Sequence, residues 1–155
     1  GEGEGFKFAM SGLDGGRINI GCCSLGGAQK AMDATLDYTK DRKQFGKSIS
    51  DFQNTQFMLA DMATKLEASR VMIYRAADML DKNLPNAGSA CAMAKRFATD
   101  NCSEIANDAL QLHGGYGYLK DYPIEQIVRD LRVHQILEGT NQVMRMIVSR
   151  SLLRQ

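Results

Sequence analysis

Helical periodicity running almost unbroken from Arg17 to Leu153 is the feature that most restricts what this chain can fold into. Apolar residues recur at three- and four-residue spacing, the signature of one helix face. In the first run Ile18, Cys22, Leu25, Met32 and Leu36 share a stripe that ends near Lys40. The clearest run carries Leu59, Met62, Leu66, Ile73, Ala77 and Leu80, with Ser50 or Asp51 as its cap and Asn83-Leu84-Pro85-Asn86 as its end. A third runs from Ala87 to about Leu112, with Ala94, Phe97, Cys102, Ile105, Ala109 and Leu112 inward. It stops at Gly114-Gly115, because glycine accepts left-handed backbone cheaply. Pro123 suits the first turn of a shorter helix, Ile124 to about Ile136. A last helix from about Asn141 to Leu153 has Val143, Met146 and Ile147 on one face and Met144, Val148 and Leu152 on another. That second stripe fits either a subunit interface or full burial. No segment reads as a strand. Long helices with short polar joints predict an all-α, up-and-down four-helix bundle with an additional short helix.

Residues 1–16 read as an incoming linker or substrate-side loop, and 17–155 as the bundle domain. Gly1-Glu2-Gly3-Glu4-Gly5 lacks the preceding strand and the spacing of a dinucleotide fingerprint. With 155 residues and 44% hydrophobic content, the chain can bury one core. A net charge of +1 offers no basic face for nucleic acid or an anionic membrane surface. No apolar run is long enough to span a bilayer. No signal peptide is evident, and the chain does not start with Met, so a piece of a longer protein is expected. Cys22, Cys23, Cys91 and Cys102 form no Cys-x-x-Cys pair and stand at no metal-ligand spacing from His113 or His134, so no metal site is expected. Cys22-Cys23 reads as small core filling in a reducing compartment, and both histidines as satisfied buried or interfacial groups.

One carboxylate stands out. Glu138 follows the apolar pair Ile136-Leu137 and precedes Gly139, with the cap signal Thr140-Asn141 next. On the residues alone two readings stand. It is a solvated acid in a turn, or it points into a cavity whose apolar walls would raise its pKa toward the range of a general base.

The ordered motifs add a resemblance. Leu13-Asp14-Gly15-Gly16-Arg17, Arg42-Lys43-Gln44-Phe45-Gly46, Phe52-Gln53, Gln111-Leu112-His113-Gly114-Gly115-Tyr116-Gly117-Tyr118, Arg129-Asp130 and Glu138-Gly139-Thr140-Asn141 occur in that order. Together they closely resemble the C-terminal helical domain of acyl-CoA dehydrogenases, over essentially the whole chain. The short branched-chain, isobutyryl-CoA type is the nearest in kind. The resemblance implies an FAD-dependent oxidoreductase that removes a proton from Cα and a hydride from Cβ of a short or branched acyl-CoA, leaving the 2-enoyl-CoA.

Within that pattern Glu138 matches the catalytic base. Isovaleryl-type members carry the base just before the first arginine, and here that residue is Gly16. Asp14, Arg17, Gly139 and Arg150 match the substrate side. Arg42 matches an arginine reaching across a subunit interface to the flavin pyrophosphate. Phe52 and Gln53 match the adenosine wall, and Gln111, Leu112, His113, Gly114 and Gly115 the loop that approaches the ADP half. Thr140, Asn141 and Gln142 match a stretch beside the flavin. The implied partners are acyl-CoA, further copies in a dimer of dimers, and an electron-transferring flavoprotein. The implied location is the mitochondrial matrix in a eukaryote or the cytoplasm in a bacterium. The resemblance lacks the family's N-terminal helical and middle β-domains, so this chain alone is not expected to complete an active site. Two rivals are a helical association module without chemistry and an acyl-CoA oxidase-type flavoprotein.

Overall fold

The structure, a computed structural model, describes residues 1–154. It is the all-α up-and-down bundle the periodicity predicts. Helices α1 (Gly5–Asp41), α2 (Gln53–Asp81) and α3 (Ala87–His113) form its body, with α4 (Ile124–His134) and α5 (Asn141–Leu153) laid against them. α3 is the centre and packs on all four of the others. Its sequence explains why: Ala90, Ala94, Ala98, Ala106 and Ala109 are buried, and small side chains let helix axes come close. Larger residues reach in from outside, notably Met62, Leu66 and Ile73 of α2, Ile124 and Leu131 of α4, and Leu25 and Met32 of α1. Two glycines of α1 tighten the contacts. A Cβ on Gly21 would collide with Cδ1 of Ile73, and one on Gly27 would lie 2.7 Å from Cδ2 of Leu131.

Several expectations are corrected. Residues 5–16 are not a linker: α1 starts at Gly5, twelve positions before Arg17. Glycine costs a helix about 1 kcal/mol per residue. Once Ile18 to Met32 are fixed by packing, however, each added residue gains a hydrogen bond without a new nucleation cost. The first turns are exposed at Phe6, Phe8 and Met10. Neither Ser50 nor Asp51 caps α2. Both lie in a 3-10 turn, Ile49–Asp51, and the extended Phe52 is the N-cap, without a side-chain bond. The polar loop after α1 contains a two-residue hairpin, β1 (Lys43–Gln44) with antiparallel β2 (Lys47–Ser48). Its tip, Phe45 and Gly46, has φ of 53° and 81°, the pair of left-handed residues that a tight hairpin turn needs.

Cys22 and Cys23 are exposed rather than core filling, because the buried register of α1 runs through Gly21, Ser24, Leu25 and Ala28. Phe97 is turned outward, since the alanine face of α3 takes the core, and it lines an apolar groove with Met72, Met93, Val148 and Leu152. On α5 the inward residue is Met144, while Val143 and Met146 are exposed. α4 ends at His134, and turns carry the chain to Gly139. Among the described residues no helix is long and apolar enough to cross a membrane.

Candidate functional site

The corner between α4 and α5 is built by backbone strain and a set of buried bonds. Glu138 has φ of 54° and Gly139 φ of 91°, so two successive residues are left-handed. For glutamate this costs roughly 1–2 kcal/mol. Thr140 then caps α5, its hydroxyl accepting from the Val143 N–H at 3.3 Å. The corner brings the half-buried Glu138 carboxylate onto α1 at a point where that helix has no side chain. A Cβ on Gly16 would run into Glu138 Oε2. Two positions 122 residues apart in sequence thus meet in space. Glu138 N–H donates no hydrogen bond among the described residues.

The other substrate-side candidates gather close by. Asp14, Arg17 and Arg150 line one cleft of about 550 Å³, together with Asn86, Gly88 and Ser89. Arg17, one residue from Gly16, is buried and pairs with Asp14, yet its Nε has no hydrogen-bond partner. A buried guanidinium N–H without an acceptor is costly. The sequence did not flag Asn86, Gly88 or Ser89. Asn86 is left-handed, φ 64°, and caps α3 directly after Pro85; the Pro85-Asn86 pair is the one signal the sequence offered there.

The Arg42 group forms a second, separate site. Arg42 and the residues from Gln111 to Gly115 line a cleft of about 490 Å³. The Arg42 guanidinium lies 5.0 Å over the Tyr116 ring. No atom lies within 4 Å of where a Cβ would stand on Gly114 or Gly115, so the backbone there is bare toward open space. His113 lines the cleft, but its ring is engaged internally. It stacks on Tyr38 at 4.3 Å, and its Nδ1 lies 2.8 Å from the Ala109 carbonyl. Burial pushes its pKa down. Phe52 lines an adjoining cleft with Gln111 and Leu112. Gln53 begins α2 and is exposed.

These two groups do not meet within one chain. Gly16 lies on α1 and Arg42 caps its C-terminal end, so at about 1.5 Å rise per residue about 40 Å separates the Glu138 end from the Arg42 end. Thr140, Asn141 and Gln142 belong to the Glu138 end. Of these, Gln142 is exposed, whereas the Asn141 side chain is buried and committed to α3. Its Nδ2 donates to Thr99 Oγ1 at 2.9 Å and to Asp100 Oδ1 at 2.7 Å. His134 is a satisfied residue, Nδ1 lying 2.9 Å from Ser24 Oγ, and burial pushes its pKa down too. Among the described residues no cluster could hold a metal ion.

The sequence missed Lys95. It is completely buried on α3, and Nζ donates to the Gly139 carbonyl at 2.9 Å and to Asn141 Oδ1 at 2.8 Å. Its signal was register: it stands four residues from both Cys91 and Thr99, in a stripe that is otherwise small or apolar.

Comparison with known proteins shows the family of the chain. Residues 3–153 match the family model described as acyl-CoA dehydrogenase, C-terminal domain. The mitochondrial isobutyryl-CoA dehydrogenase of Dictyostelium discoideum is 60% identical over 151 residues, which are 97% of this chain and 36% of that protein. The mitochondrial isobutyryl-CoA dehydrogenase of Bos taurus is 58% identical over 154 residues, 99% of this chain and 37% of that protein. A chain from a structural study of the electron-transferring flavoprotein of Acidaminococcus fermentans superposes with a TM-score of 0.97 at 54% identity, covering all of this chain and 40% of that one. The present chain therefore spans little more than a third of the curated relatives it matches.

Proposed function

The chain belongs to the acyl-CoA dehydrogenase family, as its C-terminal helical domain, and we propose that it serves α,β-dehydrogenation of a short or branched acyl-CoA, with Glu138 as the base. The observation that carries this reading is the placement of the Glu138 carboxylate against bare Gly16, beside the cationic Asp14–Arg17–Arg150 cleft. The cleft would take the polar, phosphate-bearing part of the thioester, held by Arg17 and Arg150. That leaves the acyl carbons near Glu138. Its carboxylate takes the α-proton, and its unpaired backbone N–H stabilises the thioester oxygen as charge develops there. As the hydride leaves Cβ, the Cα–Cβ double bond forms.

The chain's residues fit FAD as the cofactor. Arg42 supplies a forked cation for a pyrophosphate, and the bare Gly114-Gly115 backbone lets a dinucleotide come close without meeting a Cβ. Phe52 and Gln53 stand beside that cleft, and the start of α5 at Thr140–Gln142 flanks the base. A flavin held there would supply the two-electron acceptor for the hydride. The Arg42 end lies far from the Glu138 end of the same chain, so each site needs Arg42 from a second copy. This favours a homodimer as the smallest functional unit, doubled into a tetramer. The A. fermentans flavoprotein work that yielded a matching chain supports an electron-transferring flavoprotein as the partner. The missing walls of the site belong to further domains of a longer protein. Mitochondrial relatives favour the mitochondrial matrix if the source is eukaryotic.

Glu138→Gln in the full-length protein tests the reading. The amide keeps shape and backbone but cannot accept the α-proton. Flavin content and acyl-CoA affinity should stay near those of the parent while flavin reduction is lost. Reduction at the parent rate would move the base to another residue.

A further inference from the structure

Lys95 sits where the core has every reason to be apolar. Its neighbours on the buried face of α3 are Cys91, Ala94, Ala98 and Cys102, all fully buried. An ammonium in such a place is tolerated only when hydrogen-bonded, and an apolar residue of similar volume commonly serves stability as well or better. What Lys95 holds is informative. Both of its acceptors, the Gly139 carbonyl and Asn141 Oδ1, lie in the three residues after Glu138. The segment before Glu138 is fastened to the same place. Gln135 Nε2 donates to Asp100 Oδ1 at 2.8 Å, the oxygen that also accepts from Asn141, and Asn141 N–H donates to the Gln135 carbonyl at 3.0 Å. Lys95, Thr99 and Asp100, spread over little more than one turn of α3, thus grip both flanks of a strained left-handed pair.

The titratable and charged groups facing Lys95 come from every side: Asp100 on α3, Arg17 on α1, Glu138 on the corner and His134 on α4. Burial pulls its pKa down to about 8, Asp100 and Glu138 favour the charged form, and Arg17 opposes it. At neutral pH it remains a cation within the field of the Glu138 carboxylate.

We infer that Lys95 is a positioning residue: by holding the Gly139 carbonyl and the Asn141 side chain it locks the left-handed corner that aims the Glu138 carboxylate at the substrate α-carbon. The inference rests on Glu138 being the base. A residue that served only the fold would change yield, flavin content and melting without changing the rate in molecules that fold.

The test uses the full-length flavin-loaded protein with Lys95→Met, Lys95→Gln and Glu138→Gln side by side. Anaerobic stopped-flow bleaching of the flavin is followed against the concentration of an acyl-CoA that reduces the parent protein, isobutyryl-CoA first. For Lys95→Met the half-saturating concentration should stay within about threefold while the limiting rate falls at least about tenfold, the size expected on losing a bond from a charged donor. Lys95→Gln, which keeps a donor, should lose less. An unchanged limiting rate in a flavin-loaded Lys95→Met protein overturns the inference, as does a loss confined to affinity. Failure of both Lys95 variants to hold flavin also overturns it and assigns the residue to folding. Glu138→Gln separates the two readings. If it reduces flavin at the parent rate, the base assignment fails whatever Lys95 does. If it is inert and Lys95→Met is normal, the positioning inference fails alone.

Discussion

The carboxylate of Glu138 occupies the space in which a side chain on Gly16 would begin. α1 therefore needs glycine at that position for a reason unrelated to its own backbone. Gly16→Ala should have opposite effects on stability and activity. Alanine is better than glycine in a helix by about 1 kcal/mol, and the displaced carboxylate is the mobile end of a side chain. Melting should hold steady or rise by a few degrees, while flavin reduction in the full-length protein falls at least about tenfold. Parallel measurement of melting temperature and single-turnover reduction decides it.

Gly139→Ala should be destabilising. The residue has φ of 91°, and its added Cβ would lie 2.9 Å from Cε of Met144, a buried side chain. Left-handed strain and a core side chain forced to move together suggest a cost of about 2–3 kcal/mol. Urea denaturation would read it directly, and an unchanged midpoint would contradict the corner geometry.

The buried lysine gives a pH signature. Its pKa in the folded chain is about 8 against an ordinary 10.5, so between those values the unfolded chain binds the extra proton. Stability contributed at this site therefore rises with pH from 8 to 10.5 and is flat outside that window. The gain is on the order of 3 kcal/mol at most. Buried thiols act oppositely: burial pushes Cys91 up to about 11 and Cys102 up to about 12, so their contribution declines above pH 9. Subtracting the pH–stability profile of Lys95→Met from that of the parent removes the thiol part. The difference should climb across the window, and a level difference would refute the assignment.

Arg42→Ala should weaken flavin retention without touching the base. Loss of a forked phosphate contact predicts at least about a tenfold rise in the flavin dissociation constant. The Tyr38–His113 stack beside it should survive, since it depends on ring contact and the Ala109 carbonyl. Flavin titration by fluorescence, with far-ultraviolet circular dichroism as the fold control, checks both halves.

Much of the architecture was legible because burial follows a local rule. α3 and α5 were readable to within a residue, since Ala94, Cys102, Ile105 and Ala109 repeat with the helix period and Gly114 and Thr140 mark ends with their own chemistry. The start of α1 was not, because glycine density resembles a linker until neighbouring packing makes the helix cheap to extend. Phe97 falls one position off the core register: the periodic stripe puts it inward, but the buried face of α3 runs through Ala94 and Ala98. At the site, the Glu138 corner was visible as a pattern of acid, glycine and cap. Its contact with Gly16 and its attachment to Lys95 were not, since they join segments far apart in sequence and depend on how α1, α3 and the corner pack. Lys95 in particular carries no motif, only a charge in an apolar register.

The distance along α1 between Gly16 and Arg42 has a genetic consequence. If every working site draws its base from one subunit and its arginine from another, lesions at the two ends of the chain belong to different sites. A mixed dimer of one Arg42→Ala chain and one Glu138→Gln chain would contain one site with both lesions and one with neither. Two alleles that are each defective alone would rescue one another when co-expressed, and two alleles damaged at the same end would not.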